Sequence, residues 1–153
     1  MGRILSINNY DMSNGPGVRA SIWFAGCTHK CKGCHNVHTW NPHQGEEFTG
    51  DFTEIDKAIE EYFIKDVSIL GGEPLDYYNI EAATTICKHI KEKYNVNIML
   101  WTGYLYEQVK DLGIMKYIDV LIDGPFIEEL KQDRLELRGS TNQRIIHFKN
   151  LEE

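Results

Sequence analysis

No stretch of the 153 residues approaches the roughly 18–20 consecutive apolar side chains needed to cross a bilayer, so no membrane span is expected. The opening residues, MGRILSINNYDMSNG, break their apolar pattern too early for a secretory signal, and a cytoplasmic location is expected. Proline is scarce, with four residues, and there is no Pro/Ser-rich linker, internal repeat or low-complexity tract. A single domain over residues 1–153 follows. Positive charge is also short: 16 Lys and Arg face 23 Asp and Glu, a net of −7. That balance argues against a protein that coats nucleic acid through bulk charge. Cysteine is nearly confined to one place. Cys27, Cys31 and Cys34 fall within eight residues, and only Cys87 lies elsewhere. With no export signal, a disulfide framework is the poorer reading, and metal ligands or redox groups are the better one.

What charge there is divides unevenly. Residues 1–40 carry a net of +3 and residues 41–153 a net of −10, so the basic end is also the cysteine end. Cations beside clustered thiols favour the thiolate, the form that binds metal. Hydrophobic periodicity alternates between strand and helix. Strands are expected at residues 3–7, 18–25, 67–70, 96–101, 118–122 and 144–148. Helices are expected at 53–64, with Thr53 as N-cap and Ile55, Ile59, Tyr62 and Phe63 on one face, at 78–94, and at 104–112. Such alternation implies right-handed βαβ units and a mostly parallel sheet. A closed eight-fold barrel needs about 250 residues; an open or partial (β/α) barrel of four or five strands fits. Chemistry in such sheets gathers at the carboxyl ends of the strands. Cys27, Gly71, Thr102 and Asp123, each just past a strand, should therefore face one another.

Cys27-Thr-His-Lys-Cys31-Lys-Gly-Cys34 has CxxxCxxC spacing on a segment that reads as irregular loop. Three thiolates there can close on one centre, whereas a helix would splay them. Ferredoxins use CxxCxxC with a fourth cysteine and a proline, neither of which follows. Three cysteines suit a [4Fe–4S] cluster with one iron open to an exogenous ligand. A zinc site with His29, His35, His38 or His43 as fourth ligand is the alternative. Cys87, on the apolar stripe of the 78–94 helix, reads as a buried, inert thiol. One strand later comes Gly71-Gly72-Glu73-Pro74. Two glycines let backbone approach a ligand closely, Pro74 stiffens the exit, and Glu73 can accept from an ammonium.

CxxxCxxC after an apolar strand, followed by GGEP, resembles the signature of the radical S-adenosylmethionine enzymes. NGPGVR, GCTHKCKGCHNVHTW, WTGY, DVLIDGPF and RGSTNQR together are similar to the activating proteins of anaerobic (class III) ribonucleotide reductases, from about residue 8 to 148. The resemblance implies a mostly parallel, partial (β/α) barrel of the radical S-adenosylmethionine type. It implies that Cys27, Cys31 and Cys34 hold three irons of a [4Fe–4S] cluster and that S-adenosylmethionine chelates the fourth. Gly33 and His35 would lie near the adenosyl group, and Gly71, Gly72, Glu73 and Pro74 would hold the methionine ammonium. Thr102 and Asp123 would face the cofactor or a monovalent cation. Many relatives carry an aromatic residue before the last cysteine, and close ones a tyrosine after it; here stand Gly33 and His35. The implied reaction is reductive cleavage of S-adenosylmethionine leading to a glycyl radical on the reductase. It needs an outside electron donor such as flavodoxin, and it allows a homodimer.

No Ser/His/Asp or paired-carboxylate constellation stands out. Asp123 in DGP is equally a turn former, Arg138 equally a surface arginine, and Trp40 and Trp101 are expected to be core. Residues 14–17, NGPG, are expected to form a flexible lip through which a partner's glycine enters. Two alternatives remain: an activase for another glycyl-radical enzyme, such as pyruvate formate-lyase, or a zinc-stabilised binding module without catalysis.

Overall fold

The turn-rich DMSNGPG segment folds the chain's start back on itself. β1 (Arg3–Asp11) and β2 (Arg19–Phe24) pair antiparallel around it. A computed structural model describes residues 2–34, 37–132 and 135–148. After β2 come a short 3₁₀ turn (Val37–Thr39), β3 (Glu46–Glu47), α1 (Thr53–Glu60), β4 (Asp66–Gly71), α2 (Ile80–Lys93) and β5 (Asn97–Trp101). They are followed by a single helical turn, α3 (Tyr106–Val109), a 3₁₀ segment (Gly113–Tyr117), β6 (Val120–Asp123), a second 3₁₀ turn (Glu128–Leu130) and β7 (Arg144–His147). Among the described residues no helix is long and apolar enough to cross a membrane.

The strands form one sheet in the order β3-β1-β2-β4-β5-β6-β7. The central four, β2, β4, β5 and β6, are parallel, whereas β1, β3 and β7 join antiparallel. The expectation of four or five mostly parallel strands therefore describes the centre alone. The sheet is open, and a closed barrel does not form. Side chains alternate across it. Ala20, Ile22, Val67, Ile69, Ile98, Leu100 and Leu121 share the face that packs on Ile55 and Ile59 of α1 and on Ala83, Ile86, Cys87 and Ile90 of α2. Cys87 is fully buried there, as its place on the apolar stripe implied. On the other face Met99, Val120 and Ile122 pack with Trp101, Leu137 and Ile145.

Differences at element ends have local causes. α1 stops at Glu60 because Phe63 turns into the left-handed region, at φ 53°. Tyr62 and Phe63 consequently stand half or more exposed instead of joining Ile55 and Ile59 in the core. Thr53 lies inside the helix, and both its backbone N–H and its hydroxyl donate to Asp51. The expected 104–112 helix shrinks to α3 because its first residues serve the site described below. Trp40 and Trp101 are half-buried.

The NGPG segment is pinned down, contrary to the expectation of flexibility. Arg19 is 2% exposed, and its guanidinium donates to Ser68 Oγ at 2.7 Å, Pro16 O at 3.1 Å, and Val67 O and Asn97 Oδ1 at 3.3 Å each. Ser68 Oγ in turn donates to the Asn14 carbonyl. Arg19→Ala is expected to lower the unfolding free energy by about 3 kcal/mol, since it leaves buried acceptors without a donor. A denaturant titration measures this, and a loss below 1 kcal/mol would contradict the pinning.

Candidate functional site

Three strand ends converge. Cys27 follows β2, Gly71 ends β4 and Thr102 follows β5, and hydrogen bonds tie these ends to one another. The Glu73 backbone N–H donates to Gly26 O at 2.6 Å. Asn79 Nδ2 donates to Ala25 O at 2.9 Å and to Glu73 O at 3.1 Å. Gly71 and Gly72 are needed for this approach. A Cβ on Gly71, at φ 148°, would lie 2.3 Å from Phe24 O, and one on Gly72 would lie 2.3 Å from Gly26 O. The backbone they make room for is thus the chain's own.

Glu73 is 1% exposed, and each of its oxygens accepts two donors. Oε1 takes His29 Nε2 and the Gly103 N–H, both at 2.7 Å. Oε2 takes Thr102 Oγ1 at 2.7 Å and the Leu75 N–H at 3.0 Å. Four donors fill a carboxylate's acceptor capacity. His29 packs edge-on against the Tyr104 ring, with centroids 4.5 Å apart. A Cβ on Gly103 would sit 2.6 Å from the His29 ring, which gives the WTGY glycine its reason. The Glu73 contact raises the His29 pKa.

Asp76, also 1% exposed, is a second carboxylate with four donors: Thr28 Oγ1, the Thr28 N–H, Tyr78 OH and Tyr104 OH. Thr28, Asp76, Asn79 and Tyr104 escaped the reading from sequence, and His29, named there only as a candidate zinc ligand, pairs with Glu73 instead. Their signal was an Asp and an Asn three residues apart just after GGEP, where such side chains bind local backbone.

No disulfide joins the cysteines. Cys27, Cys31 and Cys34 are half-buried, on loop backbone outside any helix or strand. Burial pushes the Cys27 thiol up to about 11, and Glu73 and Asp76 add to it. Burial also raises Cys31, against an opposing hydrogen bond from Phe126 backbone. The expectation that nearby cations stabilise thiolates is therefore corrected. Lys30 and Lys32 are exposed, Arg3 bonds the Gln44 and Gly45 carbonyls, and Arg19 is spent at the strands' amino ends. A bound metal would supply the positive charge that keeps Cys27 and Cys31 ionised. Among the described residues no three His, Cys, Asp or Glu side chains converge as one ion demands. A zinc ion would draw its thiolates to roughly 3.8 Å of one another at 2.3 Å Zn–S bonds. A cluster takes one thiolate per iron, and three thiols with one iron left to an exogenous ligand match that donor set.

Asp123 is not part of the gathering. Fully buried, it pairs with Arg144 Nε at 3.0 Å and accepts the Tyr106 N–H at 2.8 Å, bracing β6, β7 and α3. Gly33, at φ 74°, lies against Glu128: a Cβ there would meet its carboxylate carbon at 2.9 Å. Pro74 is buried in the turn, and His35 lies outside the described residues. Arg138 donates to the carbonyls of Glu136 and Gln143.

Residues 13–146 match the family model described as a 4Fe-4S single cluster domain. Anaerobic ribonucleoside-triphosphate reductase-activating proteins are similar along nearly the whole chain. The protein of Enterobacteria phage T4 is 39% identical over 88% of this chain and 87% of its own length. That of Vibrio cholerae is 38% identical over 90% and 93%, and that of Escherichia coli K12 is 34% identical over 91% and 94%. The chain belongs to this family. The family placement joins the cysteine loop to a cluster domain and leaves the individual ligands to be assigned from geometry.

Proposed function

We propose that the chain is a radical S-adenosylmethionine enzyme that activates anaerobic ribonucleotide reductase by generating a glycyl radical on it. Cys27, Cys31 and Cys34 would ligate a [4Fe–4S] cluster. Gly33, His35 and the turn Gly71-Gly72-Glu73-Pro74, with Thr102, would flank S-adenosylmethionine. When bound, the cluster and this cofactor supply one-electron reductive cleavage of a sulfonium, which ends in hydrogen abstraction from the partner's glycine. The observation that carries the reading is the docking of a three-thiol loop, by way of His29 and Thr28, onto the GGEP segment at the strands' carboxyl ends. Asp123, taken up by Arg144, is not proposed as a cofactor contact.

The chain's own residues do the positioning. Glu73 holds the cysteine loop, the β5 exit and its own turn at fixed separations. The buried strand ends keep water from the turn. No general acid or base is assigned, because the chemistry requires none. The electron would come from a separate donor, flavodoxin-like in character, in the cytoplasm. Iron and sulfide analysis of anaerobically reconstituted protein tests the first step, and a zinc-only protein would favour the binding-module alternative.

A groove of about 500 Å³ runs over the sheet face away from the helices, between Ser13, Asn14, Gly15 and Pro16 on one side and 135–138 on the other, with Trp101 in its lining. Trp101 immediately precedes Thr102, so the groove leads toward the site and suits a segment of the reductase. A large residue at Gly15 is a poor probe. With φ at 124° and a Cβ 2.7 Å from the Arg19 side chain, it would disturb the buried arginine first. Ser13 and Glu136 are exposed on opposite walls. Ser13→Trp and Glu136→Trp are each expected to leave iron content unchanged and to cut glycyl-radical yield at least roughly ten-fold, because radical transfer demands near-contact geometry. Full yield from both would place the partner on another face.

A further inference from the structure

Thr28 is the residue after the first cysteine of the loop, and it is held twice by one carboxylate. Its backbone N–H donates to Asp76 Oδ2 and its hydroxyl to Asp76 Oδ1, each at 2.9 Å. The remaining acceptor capacity of Asp76 is filled from two other directions, by Tyr104 OH at 2.6 Å from beyond β5 and by Tyr78 OH at 3.1 Å from before α2. All four donors are neutral. Asp76 is itself 1% exposed, so no water is needed to complete the set. Thr28, by contrast, is exposed and packs no core. Its contribution is the pair of hydrogen bonds.

Upstream of Thr28 the loop is held through its backbone groups, with Cys27 N–H donating to Trp40 O at 3.2 Å and Ala25 O accepting from Asn79 Nδ2 at 2.9 Å. Downstream, the Cys34 N–H to Cys31 O bond is local to the loop, and the Phe126 backbone bonds Cys31 from outside it. Two side-chain links therefore secure the middle of the loop to the segment after β4: His29 to Glu73, and Thr28 to Asp76. We infer that Asp76 is a positioning residue for the cluster ligands, acting through Thr28 to hold Cys27 and Cys31 in register with the GGEP turn. The inference rests on the reading of the loop as a cluster site, and it names a residue that touches neither cluster nor cofactor.

Two readouts test it. In reconstituted protein, iron release to a ferrous chelator, bathophenanthroline disulfonate, is expected to run at least roughly ten-fold faster in Asp76→Asn and several-fold faster in Thr28→Val, as expected when bonds to a charged acceptor are lost. Thr28→Ser, which keeps the hydroxyl, should restore the wild-type rate. The double variant Thr28→Val/Asp76→Asn should be no faster than Asp76→Asn alone, because both remove one link. In iron-free protein, iodoacetamide should alkylate Cys27 and Cys31 several-fold faster in Thr28→Val than in wild type, whether or not the chain takes up iron. Thr28→Val at wild-type rates in either assay, or effects that multiply in the double variant, would overturn the inference. Failure of the wild-type chain to take up any iron would instead strike the cluster reading, and the alkylation rates would then decide the positioning role alone.

Discussion

Replacing Cys27, Cys31 or Cys34 by alanine is expected to yield protein that retains essentially no iron after anaerobic reconstitution, while Cys87→Ala retains the full complement. The contrast follows from environment. The first three thiols are half-buried on loop backbone at the end of β2, open to an arriving metal. Cys87 is fully enclosed between α2 and the sheet, where burial pushes its thiol up to about 12. A thiol in that setting neither ionises nor meets a ligand. Its loss removes only a sulfur atom from a packed site, and about 1 kcal/mol of stability is the expected cost. Iron and sulfide per chain, with a visible spectrum, decide the matter. A cluster lost with Cys87, or retained after loss of a loop cysteine, would refute the three-ligand assignment.

The second large effect concerns Glu73→Gln. Each oxygen of this buried carboxylate accepts two donors. An amide in its place turns N–H groups toward donors on one side, leaving at least one of the His29 and Gly103 contacts or the Thr102 and Leu75 contacts unmade. A loss of about 1–3 kcal/mol in unfolding free energy is expected, as for hydrogen bonds to a charged group. S-adenosylmethionine binding should weaken by a similar amount, roughly ten-fold or more. On the proposed reading a ligand ammonium would reach this turn either at the Gly71 and Gly72 carbonyls or by taking a donor's place on Glu73 itself. The cluster should survive, since none of its thiols is removed. Titration of the cofactor against the cluster spectrum provides the measurement. Unchanged affinity would make GGEP a strand-to-helix turn with no share in cofactor binding.

Much of the architecture was legible in the sequence because the buried central strands are continuous apolar runs. VRASIWFA and the 67–70, 96–101 and 118–122 segments each became a strand of the parallel centre, displaced by one or two residues at their ends. The antiparallel edge was harder to read. β1 alternates half-buried and exposed residues through Asp11, and its last residues, Asn8 to Asp11, look like turn chemistry until the hairpin with β2 is formed. Periodicity also overran α1. Tyr62 and Phe63 carry the right spacing, yet nothing in that spacing reports that Phe63 adopts a left-handed conformation.

At the site, Cys27, Gly71 and Thr102 were placed together correctly from strand ends alone. Asp123 was not, because the same rule cannot tell a strand-end carboxylate that faces the site from one that an arginine of the neighbouring strand claims. Arg144 lies 21 residues from Asp123 along the chain and pairs with it only through the β6–β7 register. Glu73 was visible as chemistry, but its donors come from three separate segments. Asp76 and Thr28, lying 48 residues apart, meet only once β2 and β4 lie side by side.

The central claim is that the chain makes a radical on its reductase, and one anaerobic experiment addresses it most directly. Reconstituted protein, the glycyl-radical subunit of an anaerobic ribonucleotide reductase, S-adenosylmethionine and a one-electron reductant are mixed, frozen and examined by electron paramagnetic resonance. The account predicts a glycyl-radical signal that requires all four components and disappears with Cys31→Ala. A cluster-loaded, cofactor-binding protein that produces no such signal on the reductase would contradict it.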